Sequence, residues 1–157
     1  MVEQSSANER ISPAIRPMTL DDVNEVYIIG SSTPEFSAGD AATFWERDEL
    51  ERWVTLGVDD VLLIAEVNGQ IGGFLLAKYH VPTKLGAIHD VFTKPEFRRN
   101  GVAEALEEEA ILQLTQKGAT YIYSVTQHDN QASMNLQEKV GFKKGKLMQW
   151  FELEPER

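Results

Sequence analysis

The stretch Val91-Phe92-Thr93-Lys94-Pro95-Glu96-Phe97-Arg98-Arg99-Asn100-Gly101-Val102-Ala103 runs from a β-prone segment into a proline, then through an Arg-Arg-Asn-Gly turn into the helix-forming residues 104–116. A helix that begins this abruptly leaves its first backbone N–H groups without intrahelical acceptors, and its dipole adds partial positive charge at the same end. Such a start is an anion site. Gly101 and Ala103 carry little or no side chain, so a phosphate group can approach the main chain, while Arg98 and Arg99 add charge beside it.

Working outward, residues 87–93 read as the strand before this turn and residues 121–126 as the strand after its helix, which Gly118 closes. Upstream, residues 61–67 and 71–79 are rich in β-branched and aromatic side chains. Asn68-Gly69 separates them, the strongest short hairpin signal, so these two strands are expected to be antiparallel. Residues 15–17 read as a first short strand, and Thr19-Leu20-Asp21-Asp22 supplies a capping-box-like start for a helix reaching about Ile29. A loop over residues 30–39 leads to a second helix over 41–56, with Phe44, Trp45, Leu50, Trp53 and Val54 along one side. After the last long strand, residues 132–139 form a short helix ended by Gly141, and residues 142–144 pair with 147–153 as a final antiparallel hairpin. The expected organisation is a flexible tail at residues 1–13 and one domain at 14–157. Mixed strands with helices on both faces make an α/β (or α+β) sandwich of three layers.

The chain has 157 residues, enough for a core that needs no disulfide or metal. It has no cysteine, which excludes a thiol nucleophile and thiolate metal sites and suits a reducing cytoplasm. No window approaches membrane-spanning length, so a cytoplasmic protein with no membrane partner is expected. A formal charge of −10 argues against a nucleic-acid binder, which carries a basic face, and tolerates a cationic partner such as an amine. Glu104, Glu107, Glu108 and Glu109 read as the start and solvated face of one helix.

The pattern Arg98-x-x-Gly101-x-Ala103 after a strand resembles the acetyl-coenzyme A signature Q/R-x-x-G-x-G/A of the GNAT N-acetyltransferases. The later run Asn130-Gln131-Ala132-Ser133-Met134-Asn135-Leu136-Gln137-Glu138-Lys139-Val140-Gly141-Phe142 is similar to that family's N-x-x-A-x-x-L-Y-E-K-x-G-F element. The resemblance implies a mixed, mostly antiparallel sheet of six or seven strands with helices on both faces and a splayed parallel pair. It also implies an N-acetyltransferase that uses acetyl-CoA as cosubstrate and no metal, moving the acetyl group to a primary amine by direct attack. The acceptor is a small molecule, a peptide N-terminus or a lysine, and the resemblance allows a homodimer. The residues it assigns to acetyl-CoA are Thr93, Arg98, Arg99, Asn100, Gly101, Val102, Ala103, Asn130 and Ser133. Thr93 is expected to act through its backbone, at the point where splayed strands leave groups free for the pantetheine amides.

Acetyl transfer to an amine needs a base for the departing proton and stabilisation of a developing oxyanion, and protonation of the leaving thiolate assists it. Strict alternation along residues 87–93 puts Ala87, His89, Val91 and Thr93 on one face and Ile88, Asp90 and Phe92 on the other. The His89 face resembles the one from which many family members project a glutamate, and imidazole chemistry suits a base near neutrality, so His89 is the expected catalytic residue and Asp90 a weaker candidate. Gln137 departs from the family pattern, standing where a tyrosine commonly donates a proton to the coenzyme A sulfur. That departure motivates an alternative, a non-catalytic acyl-CoA sensor of the same fold, with Tyr121, Tyr123 or water as other aids to thiolate departure. Tyr27, Glu35, Phe36, Trp45, Tyr79 and His80 are expected as walls of the acceptor site. No G-x-x-x-x-G-K-[ST] or G-x-G-x-x-G is present to support a nucleotide-binding domain of another class.

Overall fold

Alternating burial along three long strands organises the molecule around a sheet with a different helix layer on each side. The structure, a computed structural model, describes residues 12–37 and 44–156. The expected tail over residues 1–11 and the loop and helix start over 38–43 lie outside the described residues. Strands β1 (Ala14–Pro17), β2 (Val61–Val67), β3 (Gln70–His80), β4 (Leu85–Thr93) and β5 (Tyr121–Ser124) form one sheet in sequence order. All neighbours are antiparallel except β4 and β5, which are parallel. The β2–β3 hairpin turns at Asn68 and Gly69, both at positive φ, as the Asn-Gly signal requires.

Helices α1 (Val23–Ser31) and α2 (Arg47–Leu56) cover one face, and α3 (Val102–Lys117), the crossover between the parallel strands, covers the other. Leu63, Ala65, Leu75, Ala77 and Ile88 meet Val102, Leu106, Ala110 and Leu114 of α3. Ile64, Phe74 and Leu76 meet Val26, Leu50 and Trp53 on the opposite side. The α3 contact set recurs every four residues, the period of one helical face. Gly30 is required by packing, because a Cβ there would run into the Phe44 ring. At the sheet's first edge, Arg16 clamps the buried Asp22 with two hydrogen bonds of 2.7 and 2.8 Å, tying β1 to the turn that starts α1.

Three expectations are corrected. Among the described residues the sheet has five strands, not six or seven: α4 (Gln131–Lys139) is followed by residues 142–156, none of which joins a strand ladder, so the final hairpin is absent there. The second helix begins at Arg47, and Phe44 and Trp45 precede it. Glu107 is not on a solvated face but fully buried, since the side of α3 that carries it is covered by Gln137 of α4.

Candidate active site

The site is built where the parallel pair comes apart. β4 and β5 pair only over Leu85–Ile88 against Tyr121–Ser124, so β4 continues through residues 89–93 unpaired with β5, its Thr93 carbonyl accepting from Arg98 Nε at 3.4 Å. At the far end, Pro95–Phe97 makes one 3-10 turn and the chain reverses into α3. The reversal places Arg99 at φ 64° and Gly101, the residue preceding α3, at φ 74°. Left-handed geometry is ordinary for glycine and strained for arginine. No side chain caps α3, and its first cap bond is Ala105 N–H to the Gly101 carbonyl at 3.0 Å. The N–H groups of Val102, Ala103 and Glu104 are therefore left without an acceptor among the described residues. Arg98 and Arg99 are exposed beside them, and Asn100 holds the loop by donating its side-chain amide to the Phe97 and Arg98 carbonyls.

This cradle fits the diphosphate and pantetheine of acetyl-CoA. Free N–H donors, helix dipole and arginines converge on one side, and a strand edge unpaired with β5 lies on the other. Thr93, at the end of that edge, has a buried hydroxyl with no partner among the described residues. Asn130 and Ser133 stand further off in role: Asn130 Oδ1 accepts from the Ser133 N–H at 3.1 Å and so caps α4, while the Ser133 and Thr126 hydroxyls lie 3.0 Å apart and join α4 to the chain leaving β5.

The strand's chemistry is set by a bulge that sequence alternation did not reveal. Leu76 of β3 faces Asp90, but its neighbour Ala77 faces Ile88, so His89 is an extra residue on β4. The alternation predicted for residues 87–93 therefore fails at this point. Ile88 and Val91 both pack toward α3, and Asp90 and Phe92 both turn toward α1 and α2. His89 itself is exposed. Asp90 is partly buried and accepts a hydrogen bond from Trp45 Nε1 at 3.2 Å. Burial raises its pKa above the ordinary carboxylate value, and the Trp45 bond and the neighbouring His89 partly oppose that.

On the same side, Tyr27, Phe36, Phe44 and Glu46 border a cavity of about 110 Å³. Of the expected wall residues, Tyr27 and Phe36 line it, and Trp45 holds Asp90 while its ring packs on Trp53. Glu35 is exposed. Tyr79 points to the α3 core instead, and His80 bonds Thr83 on the surface.

The Gln137 side-chain N–H is engaged elsewhere. It donates to Glu107 Oε1 at 2.7 Å, and burial pushes the Glu107 carboxyl up to about 7, the Gln137 bond acting against that. Among the described residues no group of three or more His, Asp or Glu side chains is placed to hold a metal ion, and no helix is long and apolar enough to cross a membrane.

Comparison with known proteins gives one family. The profile of the Acetyltransferase (GNAT) family matches residues 25–142. An acetyltransferase of Pectobacterium atrosepticum is 31% identical over 110 residues, covering 64% of this chain and 77% of that protein. Among solved structures, AAC(6')-Iy in complex with the bisubstrate analogue CoA-S-monomethyl-acetylneamine superposes with a TM-score of 0.74 at 20% identity, over 91% of this chain and 99% of that one. The ribosomal-protein-S18-alanine N-acetyltransferase of Escherichia coli does so with a TM-score of 0.68 at 18% identity, over 86% of this chain and 80% of its own.

Proposed function

The chain belongs to the GNAT acetyltransferase family, and on that premise we propose that it moves an acetyl group from acetyl-CoA to a primary amine by direct attack. The observation that carries the reading is the uncapped start of α3 lying beside the β4 edge that is unpaired with β5. Bound there, acetyl-CoA supplies the activated acyl group. The chain supplies the rest. Val102, Ala103 and Glu104 N–H groups with Arg98 and Arg99 hold the diphosphate, and the backbone of residues 89–93 aligns the pantetheine arm as an added strand would.

The amine approaches from the α1–α2 side, where Glu46 and Asp90 offer negative charge to an ammonium and Tyr27 and Phe36 give apolar walls. The sequence expectation assigns the proton to His89. Asp90 has the stronger geometric support: it faces the acceptor side, Trp45 fixes its orientation, and partial burial makes it more basic than a surface aspartate. His89, one residue away on the bulge and open to water, is suited to pass that proton on to solvent.

The acceptor is a primary amine on a small molecule, a peptide N-terminus or a lysine. Thiol release measured across a panel of such amines, with acetyl-CoA at saturation, is the decisive experiment. Amine-dependent release of coenzyme A supports the reading. Acetyl-CoA binding without release by any amine would make the chain an acyl-CoA-binding module.

A further inference from the structure

The first turn of α3 carries an anion of its own. With Gly101 preceding the helix, Val102, Ala103 and Glu104 occupy its first three positions. A glutamate at the third position is the residue type and spacing that closes a helix start, because its carboxylate can reach back to the unpaired N–H groups. Here it does not, and no side chain caps α3. The carboxylate is nonetheless close: Glu104 Oε2 lies 4.0 Å from the point where a Cβ on Gly101 would stand.

What holds it off is α4. Lys139, in the last turn of that helix, places Nζ 2.7 Å from Glu104 Oε2. An ion pair this open to water adds little to the stability of a fold. Its position gives it another consequence, since it decides where a negative charge rests beside the N–H groups that a diphosphate requires.

On the reading of residues 98–104 as the diphosphate cradle, on which this rests, we propose that Glu104 is an internal competitor of the diphosphate and that Lys139 is the positioning residue that restrains it. With Lys139 in place, the carboxylate is drawn toward α4, and the N–H groups of Val102, Ala103 and Glu104 stay open to phosphate oxygens. Without Lys139, the carboxylate swings onto those groups as a cap, and acetyl-CoA must displace it against like-charge repulsion. The competitor acts alike on acetyl-CoA and on coenzyme A, because the two share the diphosphate. Arg98 and Arg99 pull both in, and Glu104 keeps the product from being held after transfer.

Calorimetric titration of the full chain with acetyl-CoA and with coenzyme A tests the pair. Neither side chain belongs to the apolar core, so the variants should keep the parent's melting behaviour. At low ionic strength Lys139→Ala should weaken both ligands about tenfold, and by less as salt rises, while Lys139→Arg should bind as the parent does. Glu104→Gln should tighten both about threefold. In the Glu104→Gln background, Lys139→Ala should change affinity by less than about twofold, since no carboxylate is left to release. An equal loss in both backgrounds would make Lys139 a direct phosphate ligand and overturn the proposal. So would parental affinity in Lys139→Ala, or a Glu104→Gln chain that binds no more tightly than the parent. Gly101→Val separates this from failure of the premise: parental affinity in a folded Gly101→Val chain removes the cradle itself, whereas lost binding there beside a flat Glu104 and Lys139 series removes only the competitor.

Discussion

Gln137 donates its side-chain amide to Glu107 Oε1 across 2.7 Å, joining α4 to α3 through a pair buried from solvent on the α3 side. The opposite oxygens, Glu107 Oε2 and Gln137 Oε1, are both buried and both lack a partner among the described residues. An added proton relieves the Glu107 side of this pattern. A carboxylic acid protonated on Oε2 is neutral and a donor, which suits a buried oxygen better than a carboxylate does. The raised Glu107 pKa, about 7, describes the same preference for the neutral acid.

Stability should therefore fall with rising pH over a defined window. Unfolded, Glu107 titrates near 4.5, and folded near 7, so between these values the native state keeps a proton that the unfolded chain has released. The contribution is full below 4.5 and lost by 7. Glu107→Gln keeps shape and hydrogen bonding without the titration, and should flatten the curve by roughly 3 kcal/mol over that interval. Urea denaturation at several pH values measures this; parallel curves for the two proteins would contradict it.

Gln137→Ala should act on stability more than on chemistry. It strips the buried Glu107 of the one side-chain hydrogen bond it makes among the described residues, at a cost of about 1–3 kcal/mol. The amide is committed to Glu107 and cannot serve as a general acid, so turnover per folded molecule should stay within a fewfold of the parent. A loss of turnover with an unchanged melting temperature would instead place the glutamine at the thioester.

Gly101→Val should abolish acetyl-CoA binding while the domain remains folded. The added Cβ meets nothing nearer than Glu104 Oε2 at 4.0 Å, so the fold bears only the left-handed backbone strain, about 1–2 kcal/mol. The branched side chain sits over the N–H groups that the diphosphate requires. Calorimetric titration with acetyl-CoA reads the result, and unaltered affinity in a folded variant would remove the loop from the site.

Asp90→Asn should lower turnover about a hundredfold with little change in acetyl-CoA affinity, the usual cost of losing a general base. His89→Ala should cost less than tenfold and shift the pH profile. The reverse ranking would return the base to the histidine.

The cradle was readable in the sequence because it depends on local rules. Arg98, Gly101 and Ala103 announce a turn and a helix start whatever surrounds them, and the Asn68-Gly69 hairpin is equally self-contained. On β4 the alternation put Asp90 and Phe92 on one face and Val91 on the other, as found, but it set Ile88 with the first pair when it packs toward α3. Period-two counting assumes an unbroken ladder, and the extra residue at His89 is visible only in the register against β3. Glu107 was misread for a related reason: a glutamate among glutamates on a helix looks solvated until α4 is laid over it. The hairpin expected after Phe142 had adequate strand propensity, but propensity says nothing about which edge a strand will find.

The bulge in β4 also lets the strand carry one side chain more than its ladder needs. Removing His89 would close the bulge and make Ile88 and Asp90 neighbours in a regular ladder, still facing α3 and the α1–α2 layer as they do now. The extra residue can therefore be lost without turning Asp90 over, so the water-facing histidine is an addition to the strand and not a condition of its register.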